Sequence, residues 1–240
     1  HIIDDFGGQL VDIIGAKEFS PPNLNTQGAK TQADWLFDFF KDPMIIRPNL
    51  RVRMPSFDLN DEQWNAVIKS FQYNDGQEMA FESEFSTNNK SPHFKAGKKL
   101  EEFGECKKCH FYGTKFPDGE AQTWAPNLAL SKERLRPEWI LDWLRDPQRI
   151  MPGTKMPAPF VPTEDLLTAN DAIGIWGKDL VNLKGNQEAM LEGLRNVMFS
   201  VPGKTDISKE IKRYFDKNGY DFLNPQEEQD DEDEWDEDDW

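Results

Sequence analysis

Pro22-Asn23-Leu24 recurs as Pro126-Asn127-Leu128, and Trp35, Asp42-Pro43 and Pro48 recur as Trp139, Asp146-Pro147 and Pro152. Every pair is offset by 104 residues without a gap. A length change of two residues then sets Met54-Pro55 against Met156-Pro157. Phe57 and Phe160 follow, each leading into an acidic helix start at Asp61-Glu62 or Glu164-Asp165. Self-similarity at a fixed offset marks a duplicated structural unit. The chain therefore reads as two related modules in tandem.

Each module reads as helical. Apolar residues such as Trp64, Val67, Ile68 and Phe71 recur at helical spacing, and the pattern predicts helices near 31–41, 61–73, 93–108, 136–145, 164–183, 187–199 and 206–217. Proline-rich segments at 21–25, 43–55 and 152–162 predict long loops between them. The expected fold class is all-α, with module one over 1–75, a linker over 76–91 and module two over 92–185. A helical extension over 186–224 and an acidic tail over 225–240 follow. Packing of the extension is left open: on module two, across both modules, or on a partner.

Net charge is −16, from 44 acidic and 28 basic residues, and eleven of the acids lie between Glu227 and Trp240. Such a run repels itself and stays solvated. A solubilising tail and a docking arm for a basic protein are both compatible with it. Nucleic acid is disfavoured as a partner, because phosphate binding needs a basic face. Hydrophobic residues make up 37% of the chain, and no apolar run approaches the ~20 residues of a membrane-spanning helix. The chain begins at His1 with neither an initiator Met nor a signal peptide, so it is expected to be processed, truncated or read from a later start.

The only two cysteines form Cys106-Lys107-Lys108-Cys109, with His110 next. Cys-x-x-Cys-His reads as attachment of a c-type haem. Two thiols add to the two haem vinyl groups, and the following imidazole sits under the iron. A dithiol redox pair needs no trailing His. A four-ligand zinc site needs further donors, and the remaining histidines are His1 and His93. Met is more often core filler than ligand, but Met156 stands in Pro152-Gly153-Thr154-Lys155-Met156-Pro157. The Pro-Gly turn and Pro157 hold that backbone out of helix, so the thioether can project from a loop toward iron, where it favours Fe(II).

Residues 94–170 resemble class I cytochromes c in the order of their landmarks. Gly97-Lys98-Lys99-Leu100 resembles the family's amino-terminal helix, and Ala125-Pro126-Asn127-Leu128 its proximal loop. Trp139-Ile140-Leu141-Asp142-Trp143-Leu144, followed by Asp146-Pro147, resembles the helix before the ligand loop, and Pro152–Met156 resembles that loop. The resemblance implies that the Pro126 carbonyl accepts a hydrogen bond from the haem histidine, and that Trp139 helps anchor a haem propionate. Core packing of Trp139 and Trp143 at i, i+4 is the competing reading.

The first module has no Cys-x-x-Cys. Either a haem motif has been cut at its start, with His1 as proximal ligand and Met54 as distal ligand beside Pro22 and Trp35, or the module is a haem-free relic. Retention of Met54 favours a second haem. The expected function is electron transfer by a dihaem relay, in a subunit or domain of a membrane respiratory chain of the quinol–cytochrome c oxidoreductase or oxidase type. Redox proteins, basic ones among them, are the expected partners. A dihaem-peroxidase-like enzyme and a haem-bearing assembly or sensor module are the alternatives. Covalent haem attachment resembles the products of extracytoplasmic maturation, which implies a periplasmic or membrane-associated location.

Overall fold

The computed structural model describes residues 24–47, 54–77 and 86–219. Among them all regular structure is helical, and paired extended backbone is limited to three isolated bridges. The first module contributes α1 (Gln27–Lys30), α2 (Ala33–Lys41) and α3 (Asp61–Asn74). Asn60 starts α3 with a reciprocal cap, accepting from Gln63 N at 3.0 Å while Gln63 Oε1 accepts from Asn60 N at 2.9 Å. Leu36 and Phe40 of α2 pack on Trp64 and Ile68 of α3, with the Phe40 and Trp64 rings stacked 4.8 Å apart. These four side chains are the buried core of module one.

The second module opens with α4 (Pro92–Phe103). Ser91 Oγ accepts from Phe94 N at 3.1 Å, and Pro92 occupies the first turn, where its missing N–H costs nothing. The expected continuation to residue 108 does not form. Gly104 ends the helix, and Glu105 adopts a left-handed φ of 48°, which turns the chain into a short 3-10 segment at Cys106–Lys108. Next come α5 (Ser131–Arg134), α6 (Pro137–Arg145) and α7 (Pro147–Ile150). The single helix expected over 164–183 is three pieces: α8 (Glu164–Thr168), α9 (Ala172–Trp176) and α10 (Lys178–Val181). Ala169 is extended, and Gly177 at φ 78° takes a conformation that L side chains rarely adopt, so the helical hydrogen-bond ladder cannot run through.

Helix α11 (Gln187–Phe199) settles where the segment after 185 packs. It lies across α4 and shares one core with it: Ala96 and Leu100 of α4, Met190, Leu191, Leu194 and Met198 of α11, and Trp139, Ile140 and Leu144 of α6. The helices touch backbone to backbone at Gly97 and Gly193. Its buried residues include Ala189, Met190, Leu191, Leu194, Val197, Met198 and Phe199, as expected of a helix inside a core rather than on its surface. Helix α12 (Ser208–Asn218) closes a second cluster, setting Ile211 and Phe215 against Phe111 and Trp124.

The 104-residue repeat extends into the geometry. Helices α1 and α2 match α5 and α6 residue for residue, and each pair ends on an aspartate, Asp42 or Asp146, in similar backbone conformation. The ring pair Trp35–Phe39, 4.9 Å apart at 13°, matches Trp139–Trp143, 5.2 Å apart at 15°. The modules meet through these same segments. Thr31 and Leu135, equivalent by the repeat, form an antiparallel bridge. Gln32 N donates to Arg134 O and Arg136 N donates to Lys30 O, both at 2.9 Å. Residues 30 to 32 thus pair with their own counterparts, as in an isologous two-fold interface.

Candidate functional site

Sequence order places the two thiols and the imidazole in one turn. Cys109 N and His110 N both donate to Cys106 O, at 3.3 and 2.9 Å. Both cysteines are free and half-buried. Burial, reinforced by Glu101, pushes the Cys106 thiol up to about 11, so it is protonated at neutral pH.

The proline loop is laced to this turn by backbone hydrogen bonds. Ala125 N donates to Cys109 O at 2.7 Å, and Leu128 N donates to Phe111 O at 2.9 Å. Between them, His110 Nδ1 lies 2.7 Å from Pro126 O. A carbonyl oxygen only accepts, so Nδ1 must carry the proton and Nε2 is left with a lone pair. Burial lowers the His110 pKa and Arg47 lowers it further, against the raising effect of the Pro126 bond. The imidazole is thereby held neutral and ready to donate Nε2 to a metal.

Asn127, one residue on, has a role that the motif alone does not reveal. Its Oδ1 accepts from Gly113 N at 2.9 Å and Ala129 N at 3.1 Å, and its Nδ2 donates to Gly113 O at 3.0 Å and Lys204 O at 3.3 Å. One buried amide ties the proline loop to the backbone at Gly113 and at Lys204.

Met156 is half-buried and packs against the α4–α6–α11 core. Trp143 Nε1 donates to its Sδ at 2.8 Å. A thioether sulfur has two lone pairs, so one remains for a metal. Trp143 in turn stacks on Trp139, the i, i+4 packing that stood as the competing reading of this pair. The Lys30 ammonium, from module one, sits 5.3 Å over the Trp139 ring. In module one, Trp35 stacks on Phe39, and Met54 packs against the Leu36, Phe40, Trp64 and Ile68 cluster. His1 and Pro22, the remaining candidates there, lie outside the described residues.

This donor set fits haem c. Cys106 and Cys109 could take its vinyl groups, and the His110 imidazole and the Met156 thioether could each offer a donor to its iron. Among the described residues no three His, Cys, Asp or Glu side chains converge as a metal-binding group. Sequence reading missed the Lys30 ammonium over Trp139 and the Arg134 guanidinium over Trp35, because contacts between distant segments carry no local signature.

No helix among the described residues is long and apolar enough to cross a membrane. No protein-family model, curated protein or solved structure matches the chain.

Proposed function

We propose that the chain is a c-type cytochrome that carries electrons between proteins, with haem c attached at Cys106 and Cys109. The observation that carries this reading is His110, whose Nδ1–H is committed to Pro126 O directly after two free thiols. Such a proton placement aims the Nε2 lone pair away from the loop and fixes the ring plane, as a proximal ligand requires. When bound, haem supplies a reversible one-electron couple. The chain's own residues hold His110 in one tautomer, would offer the Met156 sulfur as a further donor, and stack Trp139 on Trp143, which donates to that sulfur.

The test is a haem count. A pyridine haemochrome assay after acid–acetone extraction should find one covalent haem per chain. The Cys106→Ser, Cys109→Ser double variant should retain none. Extraction of all haem from the parent chain would end this reading.

Met156→Ala should keep the covalent haem but lose the sulfur-to-iron band at the red end of the ferric spectrum, with a lower midpoint potential. A soft thioether favours Fe(II), and its loss favours Fe(III). An unchanged ferric spectrum would exclude Met156 as a ligand.

The repeat supports a second haem in module one, with Met54 as its distal donor and His1 as the proximal candidate. Two such modules docked through α1–α2 and α5–α6 suit a dihaem relay, in the setting of an extracytoplasmic, membrane-associated respiratory chain. The acidic run at 227–240 is proposed to steer a basic redox partner, because long-range attraction raises encounter rates when salt is low. Deleting that run should slow association and flatten its salt dependence in stopped-flow mixing, since exposed charges are screened over ~10 Å at 0.1 M. Equal rates with and without the run would leave it a solubility feature.

A further inference from the structure

Three aromatic rings line up on the outside of module two. The ring of Phe103, the last residue of α4, lies 4.6 Å from that of Trp176 in α9, and Trp176 stacks on Phe160 at 5.8 Å. Phe103 is 40% exposed and Phe160 57%. Ile173, one turn before Trp176 on α9, is 63% exposed and extends the same face. Single exposed apolar residues are ordinary, but rings in contact with one another and open to water mark a surface that takes a partner. The face adjoins the cysteine turn: a Cβ on Gly104, next to Phe103, would lie 3.5 Å from Cys106 Sγ.

The border of this face is basic in an acidic chain. From Lys95 to Cys109 five lysines stand against three glutamates. Lys98, Lys99 and Lys108 pair with Glu101, Glu102 and Glu105, at 3.0, 2.9 and 2.6 Å. Lys95 and Lys107 are exposed and have no acidic partner among the described residues. Lys95, Lys99 and Phe103 follow at four-residue steps down one side of α4, and the Lys99 ammonium sits 5.0 Å over the Phe103 ring. An occupant that matches both features carries aromatic rings and negative charge together.

The chain itself contains such a segment. Residues 227–240 hold eleven acids, and Trp235 and Trp240 are the only apolar residues among them. A run that merely solvates has no use for tryptophan, a side chain enriched among the buried anchors of interfaces. These residues lie outside the described ones, but the point from which they depart is fixed. Helix α12 ends at Asn218, within one turn of Phe215, whose ring lies 5.5 Å from that of Trp124. Trp124 packs in turn on Phe111, the neighbour of His110. Trp235 stands 16 residues beyond Gly219, and that length of chain spans up to roughly 53 Å. A compact chain of this size has a radius of gyration of about 17 Å, so the segment reaches the ring face.

We propose that Phe103, Phe160 and Trp176 form the docking face for the chain's own acidic tail, with Trp235 seated on the rings and its flanking carboxylates on Lys95, Lys99 and Lys107. Tethering raises the local concentration of the tail to roughly millimolar, so a weak contact is populated. Eleven acids outnumber those lysines, and the remainder stay in water beside the cysteine turn. Docking itself needs no haem. Its consequence rests on the electron-transfer reading above: the charge that steers a basic partner is held next to the reacting site.

The test follows the indole N–H signals of the full chain by NMR with nitrogen-labelled tryptophan, the Trp176 signal being identified by its loss in Trp176→Phe. Removing residues 227–240 should shift the Trp176 signal and leave that of Trp64, in the core of module one, in place. The Trp235→Ala, Trp240→Ala double variant keeps every acid and should reproduce the same Trp176 shift. Dilution of the parent should move neither signal. A Trp176 signal indifferent to removal of the tail overturns the proposal, because the rings are then open or covered by something else. A shift on deletion that the tryptophan pair does not reproduce also overturns it, because the tail then acts through charge alone. A Trp176 signal that moves with chain concentration makes a second copy the occupant and overturns it too. A chain with no covalent haem ends the redox reading, while the indole signals decide the docking by themselves.

Discussion

A Gly193→Ala chain is expected to lose about 3 kcal/mol of stability, seen as a lower urea midpoint at unchanged slope. A Cβ at Gly193 would lie 2.1 Å from His93 O and 2.9 Å from His93 C, and one at Gly97 would lie 2.2 Å from both Gly193 C and O. These are backbone atoms of the facing helix, so no side-chain rotation relieves the clash. The helices must separate instead, and that loosens the contacts of Ala96, Leu100, Met190 and Leu194 across the crossing. Alanine also gains ~1 kcal/mol of helix propensity over glycine, so the strain must exceed this for the net effect to be a loss. Gly97→Ala should behave alike. A loss below 1 kcal/mol in both variants would show that α4 and α11 slide past each other at little cost.

How much of this was legible follows from where each signal lies. The offset of 104 is a property of the sequence alone, and it anticipated paired elements such as Trp35–Phe39 and Trp139–Trp143. It did not say that the repeats would face each other through Thr31 and Leu135, because a repeat fixes likeness and not docking. The helix starts at Asn60 and Ser91 follow from local caps and were readable. The breaks at Glu105 and Gly177 come from single backbone conformations, which composition averages away. Gly97 and Gly193 are far apart in sequence, and neither alone announces a partner. Cys106, Cys109 and His110 are close in sequence, so a single turn brings them together. Lys30 and Arg134 look like ordinary surface cations until the fold sets each of them over a ring of the opposite module.

Asn127→Leu is expected to cost about 3–4 kcal/mol, also by urea unfolding. Leucine is close in size but returns none of the four hydrogen bonds. Gly113 N–H, Gly113 C=O, Ala129 N–H and Lys204 C=O would each lose a partner in a region where Asn127 itself is 4% exposed. A buried polar group left unmade costs roughly 1–3 kcal/mol, and partial access of water keeps the sum below four such terms. Asn127→Asp separates the donor half of this clamp from the acceptor half. Its carboxylate can still accept from Gly113 N and Ala129 N, but it would turn an unprotonated oxygen toward the carbonyls of Gly113 and Lys204. That arrangement disfavours the charged form and raises the folded-state pKa above the unfolded value near 3.9. Stability of the Asp variant should therefore be greatest below the unfolded pKa, where a protonated carboxyl donates, and be lost as pH rises through the folded one. The same loop carries the Pro126 carbonyl that fixes the His110 tautomer. On the proposed haem reading, both variants should consequently broaden or shift the haem spectrum before they unfold the chain. An Asn127→Leu chain within 1 kcal/mol of the parent, with an unaltered spectrum, would show that the loop is held by the backbone ladder at Cys109 and Phe111 without the amide.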